Sequence, residues 1–249
     1  MKPLILITND DGIQAEGIHC LADCVKNLGE VIVAAPSGPQ SGGSSAITVE
    51  RPLKIKQHPD YNGAKMYSIN GTPVDCVKLA LHAIVDRRPA LVLSGINHGS
   101  NTGNSVVYSG TMGAAREGAL KGIPSIGFSL TSHKADSDDF NRAAPWVTKI
   151  VKAVLEKSLP QDVCLNINMP VKREITGIAW TQSCRGEWVN EYQEYTDPHG
   201  GKFYCITGDY KNLAPNNNNT ALAHLAQGKI TVTPVTTYHD AILTELPFS

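Results

Sequence analysis

Residues 4–13, LILITNDDGI, open on four aliphatic positions and break off at Asn9, the adjacent acids Asp10 and Asp11, and Gly12. Four aliphatics in a row read as a strand buried on both faces, and the glycine reads as the turn that leaves it. Two neighbouring carboxylates repel, and partial burial raises the cost of ionising each. A positive partner at this strand end is therefore expected.

Outward from that strand, short apolar runs alternate with helical periodicity up to about residue 170. Strands are predicted at PLILIT (3–8), EVIVAAP (30–36), ALVLSG (90–95), PSIGFSL (124–130) and VCLNINMP (163–170). Helices are predicted over 15–28, 73–86, 110–121 and 138–157. Thr72-Pro73-Val74-Asp75 is a good helix start, with threonine at the cap, proline in the first helical position and Asp75 at the third. Alternating strands and helices imply a mostly parallel sheet covered on both faces, and such sheets seat ligands at the carboxyl ends of their strands. The fold class is thus α/β, Rossmann-like, with a C-terminal β-rich arm. The expected division is a catalytic core over 1–170 and an arm, late strand and tail over 171–249. Residues 47–58 and 65–70 read as paired strands. Residues 175–211, with GIAWTQ, EWVNEYQEYT and GKFYCITGDY, read as a β-rich arm or hairpin, the Asn run at 216–219 as a loop and KITVTPV (229–235) as a late strand.

The bulk numbers narrow the function. The 249 residues are 41% hydrophobic and 18% charged, an ordinary globular balance, and the formal charge is -1. No basic run interleaved with aromatics is present, so no nucleic-acid polymer is expected as partner. No stretch is long and apolar enough to span a membrane, and the N-terminal stretch lacks a secretory apolar region. Six scattered cysteines without a CxxC pair suggest reduced thiols and a cytoplasmic location. Cys20 and Cys24 read as helix packing rather than a metal clip, since companion ligands are missing.

Three loops at predicted strand ends share one chemistry. They are Asn9-Asp10-Asp11-Gly12, the loop holding Ser41, Gly42, Gly43, Ser44 and Ser45, and the long loop from Ser94 to Thr111. All are rich in carboxylate, hydroxyl and amide oxygens and poor in sulfur and imidazole, which suits Mg²⁺ or Mn²⁺ rather than zinc. Ser109-Gly110-Thr111 stands where a helix begins, a natural seat for phosphate. Carboxylates for a metal beside an amide-lined anion cradle equip a protein for phosphoryl chemistry. Taken singly, the acid pair could be a helix cap, the serine loop mere surface, His98 a neighbour of the ligands and Asp75 a cap. Three such loops at the ends of one sheet favour a joint site.

In order and spacing, ILITNDDGIQAEG, APSGPQSGGSSAIT, INGTPVDCVKLAL, LVLSGINHGSNTGNSVVYSGTMGAAREGA and GIPSIGFS resemble the SurE (survival protein E) family. The resemblance is dense from residue 4 to about 130. It implies a metal-dependent 5'-nucleotidase that releases phosphate from nucleoside monophosphates, with one divalent cation (Mg²⁺ or Mn²⁺) per subunit. By motif, the metal ligands fall on Asp10, Asp11, Ser41 and Asn97, with Asp10, Asp11 and Asn97 as the catalytic group. Asn9, Ser44, Asn101, Ser109, Gly110 and Thr111 match positions around the phosphate. The resemblance also implies a C-terminal segment that builds a homodimer or homotetramer. The sequence departs from the family pattern at Cys205, where an aromatic is common, and at Thr220-Ala221, where Thr-Asp is common.

Three other readings share parts of this pattern. A response-regulator receiver needs a phosphorylatable aspartate at its third parallel strand and a later lysine, and ALVLSGIN and SIGFSLTS offer neither. A haloacid-dehalogenase-type phosphatase separates its two acids by one residue. A non-catalytic nucleotide-binding or stress-signalling module would keep the anion loops without needing a full oxygen ligand set.

Overall fold

The computed structural model describes residues 2–238. Its first half is β1 (Leu4–Thr8), α1 (Glu16–Val25), β2 (Glu30–Pro36), β3 (Ile55–Tyr61), β4 (Ala64–Ile69), α2 (Pro73–Ala83), β5 (Leu91–His98), α3 (Ser105–Tyr108) and α4 (Gly110–Leu120). Then come β6 (Ser125–Leu130), α5 (Ser137–Lys157), β7 (Val163–Met169), β8 (Gly177–Trp180), β9 (Gly186–Val189), β10 (Tyr192–Thr196), β11 (Lys202–Ile206), β12 (Asp209–Asn212), α6 (Ala221–Ala226) and β13 (Lys229–Thr236). One nine-stranded sheet runs β3-β4-β2-β1-β5-β6-β7-β13-β8. Its six strands from β4 to β7 are parallel; at the edges β3 runs antiparallel to β4 and β13 antiparallel to β7, with β8 parallel to β13.

All five residues of β1 are buried, as a strand covered on both faces requires. Ile5 and Ile7 point into the core shared with α1 and α5, while Leu4 and Leu6 point into the core under α2 and Ala114 of α4. Thr72 starts α2 as expected: its hydroxyl accepts from Asp75 N at 3.1 Å and Asp75 Oδ2 accepts from Thr72 N at 2.9 Å. Asp75 also accepts the Thr48 hydroxyl at 2.6 Å, which ties the loop after β2 to this helix.

Two expectations need correction. Residues 47–54 form loop, and the strand begins only at Ile55. Thr48 N is taken by Asp75, and Pro52 has no N–H to give a ladder. GIAW is no part of a projecting hairpin: as β8 it pairs with β13 and extends the central sheet. The two long aromatic runs that follow each break once, at Asn190 and Gly208, both with positive φ. The result is two short antiparallel pairs, β9 with β12 and β10 with β11. Residues from 239 onward, the end of the 171–249 segment, lie outside the described residues.

Candidate metal centre

The carboxyl ends of β1, β2 and β5 bring the three polar loops together. After Thr8 the chain turns sharply, with Gly12 at φ 98°. Such a φ favours glycine. Asn9 clasps that turn: its Nδ2 donates to Gly12 O at 2.9 Å and its Oδ1 accepts from Gly12 N at 3.1 Å. Gln40 N donates to Asp10 O at 2.7 Å, which pins the loop carrying Ser41 against the acid pair. In β5 the register slips between Ser94 and Asn97, so the strand presents Asn97 beside Ser129 at its end.

The two acids meet different surroundings. Asp10 is 5% exposed, and its Oδ1 accepts the Thr111 hydroxyl at 2.6 Å, leaving Oδ2 free of a side-chain partner. Burial, opposed by that hydrogen bond and reinforced by the charge of Asp11, pushes the Asp10 carboxyl from 3.8 up to about 6. Asp11 lies more open, with Oδ2 3.4 Å from both the backbone N and Nδ1 of His98. That contact with Asp11 raises the His98 imidazole above its ordinary value, against the opposing effect of burial. Among the described residues no lysine or arginine pairs with either acid.

Asn97 donates Nδ2 to Gly99 O at 2.8 Å, so its carbonyl oxygen is the atom left for a ligand. Ser41 is exposed in the pinned loop. The donor set is two carboxylates, an amide oxygen and a hydroxyl. No cluster of three or more His, Cys, Asp or Glu that could hold a metal is present among the described residues, so neutral oxygens must complete any shell. That composition fits a hard divalent cation, and a pair of carboxylates met by no lysine or arginine calls for one.

The expected phosphate-side residues divide in two. Ser109 caps α4 by accepting from Met112 N at 3.1 Å. Gly110 opens that helix so close to Asp10 that an added Cβ would lie 2.9 Å from Asp10 Cβ. The helix N-terminus, with its free amides and positive dipole end, therefore abuts the acid pair. Ser44 bonds the neighbouring loop, donating its hydroxyl to Val107 O at 2.6 Å. Asn9 and Asn101, by contrast, have inward partners. Asn101 donates Nδ2 to Ser129 Oγ at 2.9 Å, and Asn166 Nδ2 donates to Asn101 O at 2.7 Å. His98, in contact with Asp11, is as expected for a neighbour of the ligands. Thr8 and Ser94 went unnoticed in the sequence: they are paired across β1 and β5, buried, and their hydroxyls have no partner. Their sequence signal is a hydroxyl directly after the aliphatic run of a strand.

The model of the family described as survival protein SurE matches residues 5–190. The chain belongs to the SurE family. A protein named 5'-nucleotidase SurE from Phocaeicola vulgatus is 45% identical over 94% of this chain and 90% of its own length. One of the same name from Bacteroides fragilis is 44% identical over 96% of this chain and 94% of its own. The solved structure of the SurE protein from Aquifex aeolicus superposes with a TM-score of 0.81 at 37% identity, covering 95% of this chain and 94% of that one. The Rossmann-like sheet and the added C-terminal strands are thus those of a SurE fold.

Proposed function

We propose that this chain is a 5'-nucleotidase that hydrolyses nucleoside 5'-monophosphates to nucleoside and phosphate with the help of one divalent cation per subunit, Mg²⁺ or Mn²⁺. The observation that carries the reading is the acid pair without a lysine or arginine partner, set against the N-terminus of α4. The names of the relatives agree with it. Asp10, Asp11, Ser41 and Asn97 would hold the cation, which supplies Lewis acidity toward the phosphate. Ser44, Ser109, Gly110 and Thr111 would hold the remaining phosphate oxygens through hydroxyls and free amides. Asn9 and Asn101 act from behind, keeping the first and third loops in shape. A water attacks phosphorus in line with the departing nucleoside oxygen, and Asp10 Oδ2 is the candidate acceptor of its proton.

The test is phosphate release from a panel of nucleotides with and without added Mn²⁺ or Mg²⁺. Metal-dependent release from the 5'-monophosphates is expected. Full activity after chelation to negligible metal content would overturn the reading.

The second half of the chain supports a further part of the proposal, that the protein is a homodimer or homotetramer. Tyr192, Phe203, Tyr204 and Ile206 lie exposed on the β10–β11 pair, an apolar surface poorly suited to solvent. Residues 1–170 hold the catalytic core proposed here, and within 171–249 it is the β10–β11 pair, rather than β8 and β13 of the central sheet, that we assign to oligomerisation. Light scattering that shows a monomer across a wide concentration range would reject this. No helix among the described residues is long and apolar enough to cross a membrane, and a cytoplasmic location is part of the same proposal.

A further inference from the structure

A cavity of about 480 Å³ opens at the carboxyl ends of β5, β6 and β7, between the third polar loop and the base of the arm. Its size is in the range of small-molecule sites. Ser100, on its wall, follows the ligand Asn97 by three residues, a separation of no more than about 11 Å along the chain. His133, also on the wall, packs against Gly99, whose carbonyl holds the Asn97 amide. The opposite wall carries Trp188 and Tyr210, neighbours across β9 and β12.

Trp188 is held in place rather than free. Its ring meets Tyr210 edge to face, with centroids 5.6 Å apart at 77°, and the Tyr210 hydroxyl donates to Cys184 O at 3.3 Å. Asn104 of the third loop donates to Gly186 O and so ties β9 to the loop that leaves the metal centre. A braced indole beside hydroxyls, an imidazole and the Arg173 guanidinium, with no carboxylate in the lining, is the chemistry of a site for a flat, neutral, acceptor-rich heterocycle.

We propose that this cavity is the nucleobase subsite, with the base stacked on Trp188, so that the base of the arm selects substrate. The inference rests on the nucleotidase reading above. Trp188 is then a substrate contact, apart from the exposed aromatics of β10 and β11. One wall of the subsite comes from residues far along the chain from the metal ligands, so substrate recognition and metal binding are separable by mutation.

The experiment compares Trp188→Ala and Trp188→Phe on nucleoside 5'-monophosphates and on ribose 5-phosphate, which has no base. Loss of a base–aromatic stack should raise KM for the nucleotides about tenfold in Trp188→Ala, with a much smaller change for ribose 5-phosphate and near-normal values in Trp188→Phe. Adenosine and guanosine titrations provide a readout without turnover: either nucleoside should quench tryptophan fluorescence in the parent and not in Trp188→Phe. Equal loss on both substrate types, or a quench that persists in Trp188→Phe, would overturn the subsite. If no nucleotide is hydrolysed at all, the function proposed above fails, while the nucleoside titration still decides the pocket.

Discussion

Two places in this molecule bring two aspartates together, and they treat them in opposite ways. At the start of α5, Asp136 and Asp139 form a reciprocal cap and are met by Lys172 and Arg142. Burial alone would raise the Asp139 carboxyl. The N–H of Lys172 at 2.8 Å, the Arg142 guanidinium at 2.5 Å and the remaining partners instead hold it far below the usual carboxylate range. At the end of β1, Asp10 is as well buried, yet it has one side-chain hydrogen bond and a second acid next door, and its carboxyl is pushed up to about 6. The first pair is complete within the chain and stabilises it. The second is incomplete within the chain and is kept at the expense of stability, the pattern of a site built to receive something.

The largest effect expected from breaking this contrast is on activity. Asp11→Asn or Asp10→Asn keeps the shape and removes the charge, so the fold should survive while metal-dependent turnover falls on the order of 100-fold or more. Asn97→Ala, which removes the neutral member of the proposed ligand set, should weaken metal binding less than Asp11→Asn. Calorimetric metal titration with phosphate-release assays checks both, and near-normal activity of Asp11→Asn at low Mn²⁺ would remove Asp11 from the site.

Next in size is Asp139→Asn, which leaves Arg142 and Lys172 without their shared buried partner. It should destabilise the fold by about 3 kcal/mol, measured by denaturant unfolding, with little effect on turnover of the folded enzyme.

Smaller, and opposite in sign, is Asp10→Asn in chelated protein. A carboxyl raised from 3.8 to about 6 in the fold makes the folded state lose stability as pH rises from about 4 through 6, and the penalty is complete above that. The variant should therefore be more stable than the parent at pH 8, by about 1–3 kcal/mol, and show no such gain at pH 4. Asp139 slopes the other way: its depressed value contributes stability above about pH 4 that is lost as pH falls further. Urea midpoints across this range test the two slopes, and an unchanged Asp10→Asn difference between pH 4 and pH 8 would contradict the account.

The smallest effect belongs to His98. His98→Ala removes the partner of Asp11 and should weaken metal affinity about tenfold while the ligands remain. No change would make the His98 contact incidental.

Much of this was legible in the chain. The aliphatic run of β1, the capped start at Thr72 and the amphipathic spacing of α5 are local signals, and each element formed where its pattern placed it. The acid pair was legible because it recurs with two other oxygen-rich loops at the strand ends of one sheet, which a helix cap alone does not explain. The inward hydrogen bonds of Asn9 and Asn101 were not, since an amide looks alike in sequence whether or not it also bonds its own loop. The end of the aromatic arm was misjudged at GIAW, because a four-residue strand carries the same pattern whether it closes a sheet or starts a hairpin.

By itself the sequence determined the α/β alternation, the three oxygen-rich loops and the family, because periodicity, turn chemistry and residue type act over a few positions at a time. Tertiary structure alone decided that Asp139 is neutralised and Asp10 is not, and that Trp188 lines a cavity at the carboxyl ends of β5, β6 and β7 rather than joining the exposed aromatics. Those outcomes depend on partners 33 residues away for Asp139, 101 for Asp10 and a whole arm away for Trp188. Charge compensation and cavity formation are set by which surfaces the sheet brings together, and no local pattern carries that information.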